Sequence, residues 1–126
     1  MQVGIELNSE PIRVLDHAVI QANPVLFMTI GGAGNGLRHP ARMILVQNFT
    51  NADLAISDQT SPDYPASWKY VVAARQGIIL DCTTNKTSVG GSFCYPKGTV
   101  FSAATIPALA APTTGAVYLS AIYAME

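Results

Sequence analysis

The sequence predicts an all-β domain built as an antiparallel sandwich or barrel. Three observations carry that prediction. Short β-type runs recur at roughly ten-residue spacing. Turn formers separate them, and Pro107 and Pro112 rule out helix in the one Ala-rich stretch, Ala103 to Ala111. The chain has 126 residues, which makes one domain of 1–126 large enough to bury a core without staples.

The clearest unit is Ala41 to Asp58. Arg42-Met43-Ile44-Leu45-Val46-Gln47-Asn48 is apolar in the middle and polar at both ends, as a buried strand is. Phe49 to Asp53 is rich in turn formers, and Leu54 to Asp58 alternates again. The expectation is a β-hairpin with a short loop. Gln59 to Ser67, with Pro62 and Pro65, is an exposed loop. Trp68 to Ala74 returns to β character, Gln76-Gly77 breaks it, and Ile78 to Cys82 forms the next strand. Thr83 to Gly91 is a polar turn, followed by short runs at Ser92–Tyr95 and Thr99–Ser102. Ala116 to Tyr123 closes the set with alternating residues.

The N-terminal third admits two readings. Ser9-Glu10-Pro11 could open a helix with Ile12, Leu15 and Val19 on one face. Alternatively Pro11–Leu15 and Pro24–Ile30 are strands, which the β-branched residues favour. Residues 1–9 are expected to form an extended arm, and residues 31–40 a flexible Gly-rich loop.

Composition narrows the function. Only 12% of residues are charged, against about 25% in an average domain. Sparse charge suggests surface that faces other protein. The net charge is −1 and the basic residues are scattered singly, so there is no electrostatic stripe for nucleic acid. No apolar run approaches the length of a membrane span. The segment MQVGIELNSE lacks the basic and apolar regions of a signal peptide, so synthesis in a reducing cytoplasm is expected. Cys82 and Cys94 then read as buried thiols, with a disulfide between them the alternative if their strands pair, and the sequons at Asn48 and Asn85 as turns.

The motifs that could carry chemistry do not assemble. Gly31 to Gly36 lacks the lysine of a phosphate loop, with Leu37 in its place, and His39 stands where a dinucleotide fingerprint needs glycine. His17 and His39 have no metal-type partner at short spacing. Asp16-His17 lacks a flanking nucleophile signature, and Asp58, Asp63 and Asp81 cannot be placed in one cleft from sequence. No enzyme, cofactor or metal is expected. Tyr64 and Trp68 flank the Pro-rich loop, where exposed aromatics suit an interface. The same pair, with Gln59 and Asp63, could instead stack on and bond a sugar, which makes a carbohydrate-binding sandwich the competing class.

Arg42 to Ser57, with its Gln47-Asn48-x-Thr50 core, resembles a segment of small tailed-phage virion proteins. So do Ile79-Leu80-Asp81 through Asn85-Lys86, Pro96-Lys97-Gly98-Thr99, and Pro112 to Tyr118. The likeness covers residues 40 to 124; the Pro-rich loop 61–67 departs from it. It implies a jelly-roll-like sandwich of the virion, made in the host cytoplasm. The implied role is capsid decoration or cementing: binding across major capsid protein subunits, as a homo-oligomer and without chemistry. Head–tail connectors, adaptors and tail components are the alternatives within that resemblance. The residues expected to meet partners are Met1, Gln2, Val3, Ile5, Gly32, Asn35, Leu37, Tyr64 and Trp68.

Overall fold

The computed structural model describes residues 6–32, 34–81 and 95–125. The described strands are β1 (Glu6–Ser9), β2 (Arg13–Asp16), β3 (Met28–Thr29), β4 (Met43–Asn48), β5 (Leu54–Ser57), β6 (Tyr70–Val72), β7 (Gln76–Asp81), β8 (Ser102–Thr105) and β9 (Ala116–Met125). One short helix, α1, spans His17–Ala22. The strands form two antiparallel sheets. β9 is flanked by β4 on one side and by both β1 and β2 on the other, and β7 lies beyond β4. The second sheet runs β3-β8-β5-β6.

Taken as one interrupted strand, β1 and β2 pair with the last strand. Inside that pair β3 pairs with β8, β4 with β7 and β5 with β6. This nested pairing is a jelly roll, an all-β sandwich of two Greek keys. β4 shows why it closes. Ile44, Val46 and Asn48 point inward and are buried, while Met43, Leu45 and Gln47 point outward. Val117, Leu119 and Leu15 complete that inner face, and Leu54, Ile56 and Val72 meet it from the other sheet. Ile20 of α1 and Phe101 plug the ends.

The expected hairpin over Arg42–Asp58 is not one. β4 and β5 lie in different sheets, so the connection crosses the sandwich instead of folding back. The buried Asn48 amide turns the chain. Its Nδ2 donates to the carbonyl oxygens of Ala52 (2.8 Å) and Val72 (2.9 Å), with Ala73 at 3.3 Å. Its Oδ1 accepts the Thr50 amide at 3.0 Å and the Thr50 hydroxyl. These bonds satisfy backbone groups that a crossing segment cannot pair in a ladder. The corner also holds two other crossings. The Ala74 amide donates to Asp53 Oδ1, and Thr113 donates its amide to Asn51 Oδ1. Gly115, at φ 85°, passes so close that a Cβ there would overlap the Phe49 carbonyl oxygen.

The N-terminal third combines both sequence readings. Arg13–Asp16 is a strand and His17–Ala22 a helix, capped by Asp16, whose carboxylate accepts the Ala18 amide. The expected arm is partly sheet, because Glu6–Ser9 pairs with β9. Met1, Gln2, Val3 and Ile5 lie outside the described residues, as do Cys82 and Cys94. Gln76-Gly77 opens β7 instead of breaking a strand; the turn is made one residue earlier, at Arg75 with φ 61°. The run at Thr99–Ser102 shifts to β8, and only Met28–Thr29 of Pro24–Ile30 pairs as strand.

Between β1 and β2 the chain bulges. Ser9 faces Ile122 and Arg13 faces Leu119, so Glu10, Pro11 and Ile12 stand opposite only Ser120 and Ala121. The extra residue turns Glu10 and Arg13 inward and Ile12 outward. Glu10 and Arg13 form a buried ion pair at 2.8 Å. The carboxylate also accepts the Arg38 amide at 3.1 Å, the His39 amide at 2.9 Å and His39 Nδ1 at 3.2 Å. Arg13 reaches the Gly36 carbonyl (2.9 Å) and Asn35 Oδ1 (3.2 Å). The Gly-rich loop is therefore tied down rather than open. At Gly31, φ 98°, a Cβ would press on the Arg13 side chain.

Burial works to raise the Glu10 pKa, but the Arg38 amide, the Arg13 guanidinium and the His39 groups outweigh it. The net result lies below the ordinary 4.5. A lowered carboxylate pKa contributes stability above the unfolded value, and that stability is lost as pH falls through the folded value. Acidification below about pH 4.5 should therefore weaken the fold. Glu10→Gln should cost about 3 kcal/mol at neutral pH by stranding Arg13, and should flatten this acid limb. Urea unfolding across pH 3 to 7 (about the carboxylate range) checks both.

A second prediction concerns the corner. Asn48→Ala strands the carbonyls that its amide satisfies and should cost about 3 kcal/mol. Gly115→Ala should destabilise comparably through the Phe49 overlap. Thermal and urea unfolding of the two variants measure these losses.

Candidate interaction surface

The two sheets treat their outward faces differently. On the four-stranded sheet the outward residues of the central strands are small: Ala55 and Ser57 on β5, Ser102 and Ala104 on β8. All four are buried. Loop 58–69 is fastened to this sheet, with Tyr64 Oη donating to the Thr105 carbonyl (2.9 Å) and the Lys69 amide to the Ile56 carbonyl (3.0 Å).

The five-stranded sheet carries large apolar residues outward instead. Its rows follow from the register: Val14–Tyr118–Gln47–Gly77, then Ser120–Leu45–Ile79, then Ile122–Met43–Asp81. Ile12, turned out by the bulge, and Phe49 flank them. Ile12 is 63% exposed, Ile79 62%, Phe49 53% and Val14 47%. Charge enters these rows only at the margins, with Asp81 at one end and Asp16, opposite Ala116, at the other. Four strand positions by six residues span about 400 Å² in projection. Part of that area is polar, at Gln47, Ser120 and Asp81, and exposed apolar side chains grouped on one face often mark an interaction site.

The face is furrowed. A recess of about 520 Å³ at one end is lined by Ile12, Asp16, His17, Gln47, Phe49, Gly115, Ala116 and Tyr118. A second, of about 280 Å³, is lined by residues that include Leu45, Arg75 and Ile79. Gln47 and Phe49 line both. Phe49 meets Tyr118 edge-on, with ring centroids 5.5 Å apart. The Phe49 amide donates to the Ala116 carbonyl, so the crossing built on Asn48 sets this ring in place. His17 is held by Gly115, whose carbonyl accepts both the His17 amide (3.0 Å) and Nδ1 (2.9 Å).

Of the residues expected to meet partners, Gly32, Asn35, Leu37, Tyr64 and Trp68 are described, and none of them is in these rows. Leu37 is a core side chain, 3% exposed, which corrects its assignment to the surface. Asn35 is half-buried and bonds Arg13 and the Gly31 carbonyl. Gly32 is exposed in the Gly-rich loop. Trp68 is exposed, while Tyr64 is half-buried against Phe27. Of the groups proposed for sugar contact, Gln59 Oε1 accepts from Ser67 Oγ and the Tyr64 hydroxyl donates to the Thr105 carbonyl, while Asp63 and Trp68 are exposed. The open face was missed because β4 and β9 read as core strands. Their outward residues become visible only when the register shows which of them stay exposed among the described residues.

Among the described residues no group of three or more His, Cys, Asp or Glu could hold a metal ion, and no helix is long and apolar enough to cross a membrane. No family model matches the chain, and no curated protein and no solved structure matches it significantly.

If the apolar face is surplus to the fold, charging it should leave stability intact. Ile79→Lys and Val14→Lys should each change unfolding free energy by less than about 0.5 kcal/mol. Both should reduce retention on a hydrophobic-interaction column. A large stability loss would instead show that these residues pack within the domain.

Proposed function

We propose that the protein is a non-enzymatic structural component of a tailed-phage particle that decorates and cements the capsid across major capsid protein subunits. The observation that carries this reading is the open, charge-poor face of the five-stranded sheet. The phage resemblance of residues 40–124 agrees with it, and viral capsid domains use the jelly roll widely. Binding is by burial of apolar surface. Removing a sparsely charged face from water carries little of the desolvation cost that a charged face would. One such face supplies less area than the roughly 1,600 Å² of a standard interface. Repetition of the contact on a symmetric lattice, and association between copies, supply the remaining strength through multivalency.

Co-sedimentation with capsids assembled without the protein tests this. Wild type should pellet with the particles at a copy number that follows the capsid lattice, and Ile79→Lys should stay in the supernatant. A copy number fitting a single ring would place the protein in a connector or tail. Wild type that never pellets would overturn the reading.

A further inference from the structure

We propose that the recess between Asp16 and Phe49 takes an arginine side chain presented by the partner protein. This rests on the reading of the sheet face as the docking surface and names the chemistry of its anchor.

The lining selects the ligand. Asp16 is its one formally charged acid or base, and no Lys or Arg lines it. An anion is therefore disfavoured. The Asp16 carboxylate is more than half exposed, and it makes the cap to Ala18 and a 3.5 Å approach to His17, both through Oδ2. Oδ1 remains to accept. With Nδ1 bonded to the Gly115 carbonyl, a neutral His17 ring carries its proton there, leaving Nε2 as a further acceptor. The Gln47 amide and the Tyr118 hydroxyl have no side-chain hydrogen-bond partner among the described residues. Acceptors thus outnumber donors around the recess.

A guanidinium matches this inventory. It has five donors and no acceptor, and its planar face suits the Phe49 and Tyr118 rings. A sugar hydroxyl both donates and accepts, so an acceptor surplus favours it less. The volume of about 520 Å³ admits a long side chain together with the backbone that carries it. Arginine is enriched in protein interfaces and among the residues that dominate their binding energy.

The test uses N-acetyl-arginine methylamide as probe, with its uncharged isostere N-acetyl-citrulline methylamide as control. Amide NMR shifts of the full chain are followed during titration. The arginine probe should shift residues 16–17, 47–49 and 115–118, with an affinity on the order of millimolar. Asp16→Asn keeps the helix cap and should weaken the probe by about threefold to fivefold, the worth of one exposed charge pair. Phe49→Leu, which removes the ring, should weaken it as well.

Equal shifts from citrulline, shifts elsewhere, or shifts from methyl glucoside alone would overturn the proposal. Particle binding separates it from the reading beneath. If the probe fails while Ile79→Lys still abolishes co-sedimentation, the docking face stands and the arginine anchor falls. If the probe binds at the recess and Asp16→Asn lowers co-sedimentation, the anchor is supported. If the probe binds but Ile79→Lys pellets like wild type, the recess is supported as an arginine site and docking through the whole face falls.

Discussion

The side chain of Asn48 is the point on which the rest of the structure turns. A jelly roll needs its chain to leave one sheet and enter the other several times, and each crossing exposes backbone groups with no ladder partner. Asn48 meets that demand at three levels. It closes its own turn through Thr50 and Ala52, it satisfies the carbonyls where β6 leaves for β7, and its turn supports the approach to β9 through Asn51 and Gly115. Phe49, the next residue, is thereby placed against Tyr118. Closure of the fold and the wall of the recess depend on one buried amide.

The other end of β9 is organised by a different polar group. The bulge at Glu10–Ile12 brings a carboxylate and a guanidinium into the interior, where they would be costly alone. Together, and bonded to the backbone at 36, 38 and 39, they hold the Gly-rich loop against the sandwich. His39 stacks on Tyr123 at 3.8 Å between centroids, joining the loop to the last strand. The bulge also interrupts the outer edge of the sheet, where Pro11 offers no donor, and this discourages pairing by another strand. The opposite edge of that sheet is β7.

The same register change turns Ile12 out beside Val14. The apolar face therefore owes its margin to the ion pair and its centre to ordinary alternation on β4, β7 and β9. Four-stranded and five-stranded sheets differ in what lies over them. The small outward residues of one are buried, and loop 58–69 is bonded to that sheet, whereas Ile12, Val14, Phe49 and Ile79 on the other stay exposed among the described residues.

Much of this was legible in the sequence. Alternation marked β4, β5 and β9 within a residue or two, and turn formers marked the loops between them. Alternation fixes only which residues share a side. It cannot say which strands share a sheet, so Arg42–Asp58 looked like a hairpin until the Asn48 bonds carried it across. Nor could it show that Leu37 packs inside a glycine-rich loop, or that Glu10 and Arg13 are buried, because a one-residue bulge reverses every side chain beyond it. The sequence by itself determined an all-β chain with sparse charge. Only the tertiary structure decided which apolar residues of the described strands face outward and stay exposed, because that depends on register and on contacts between segments far apart in the chain.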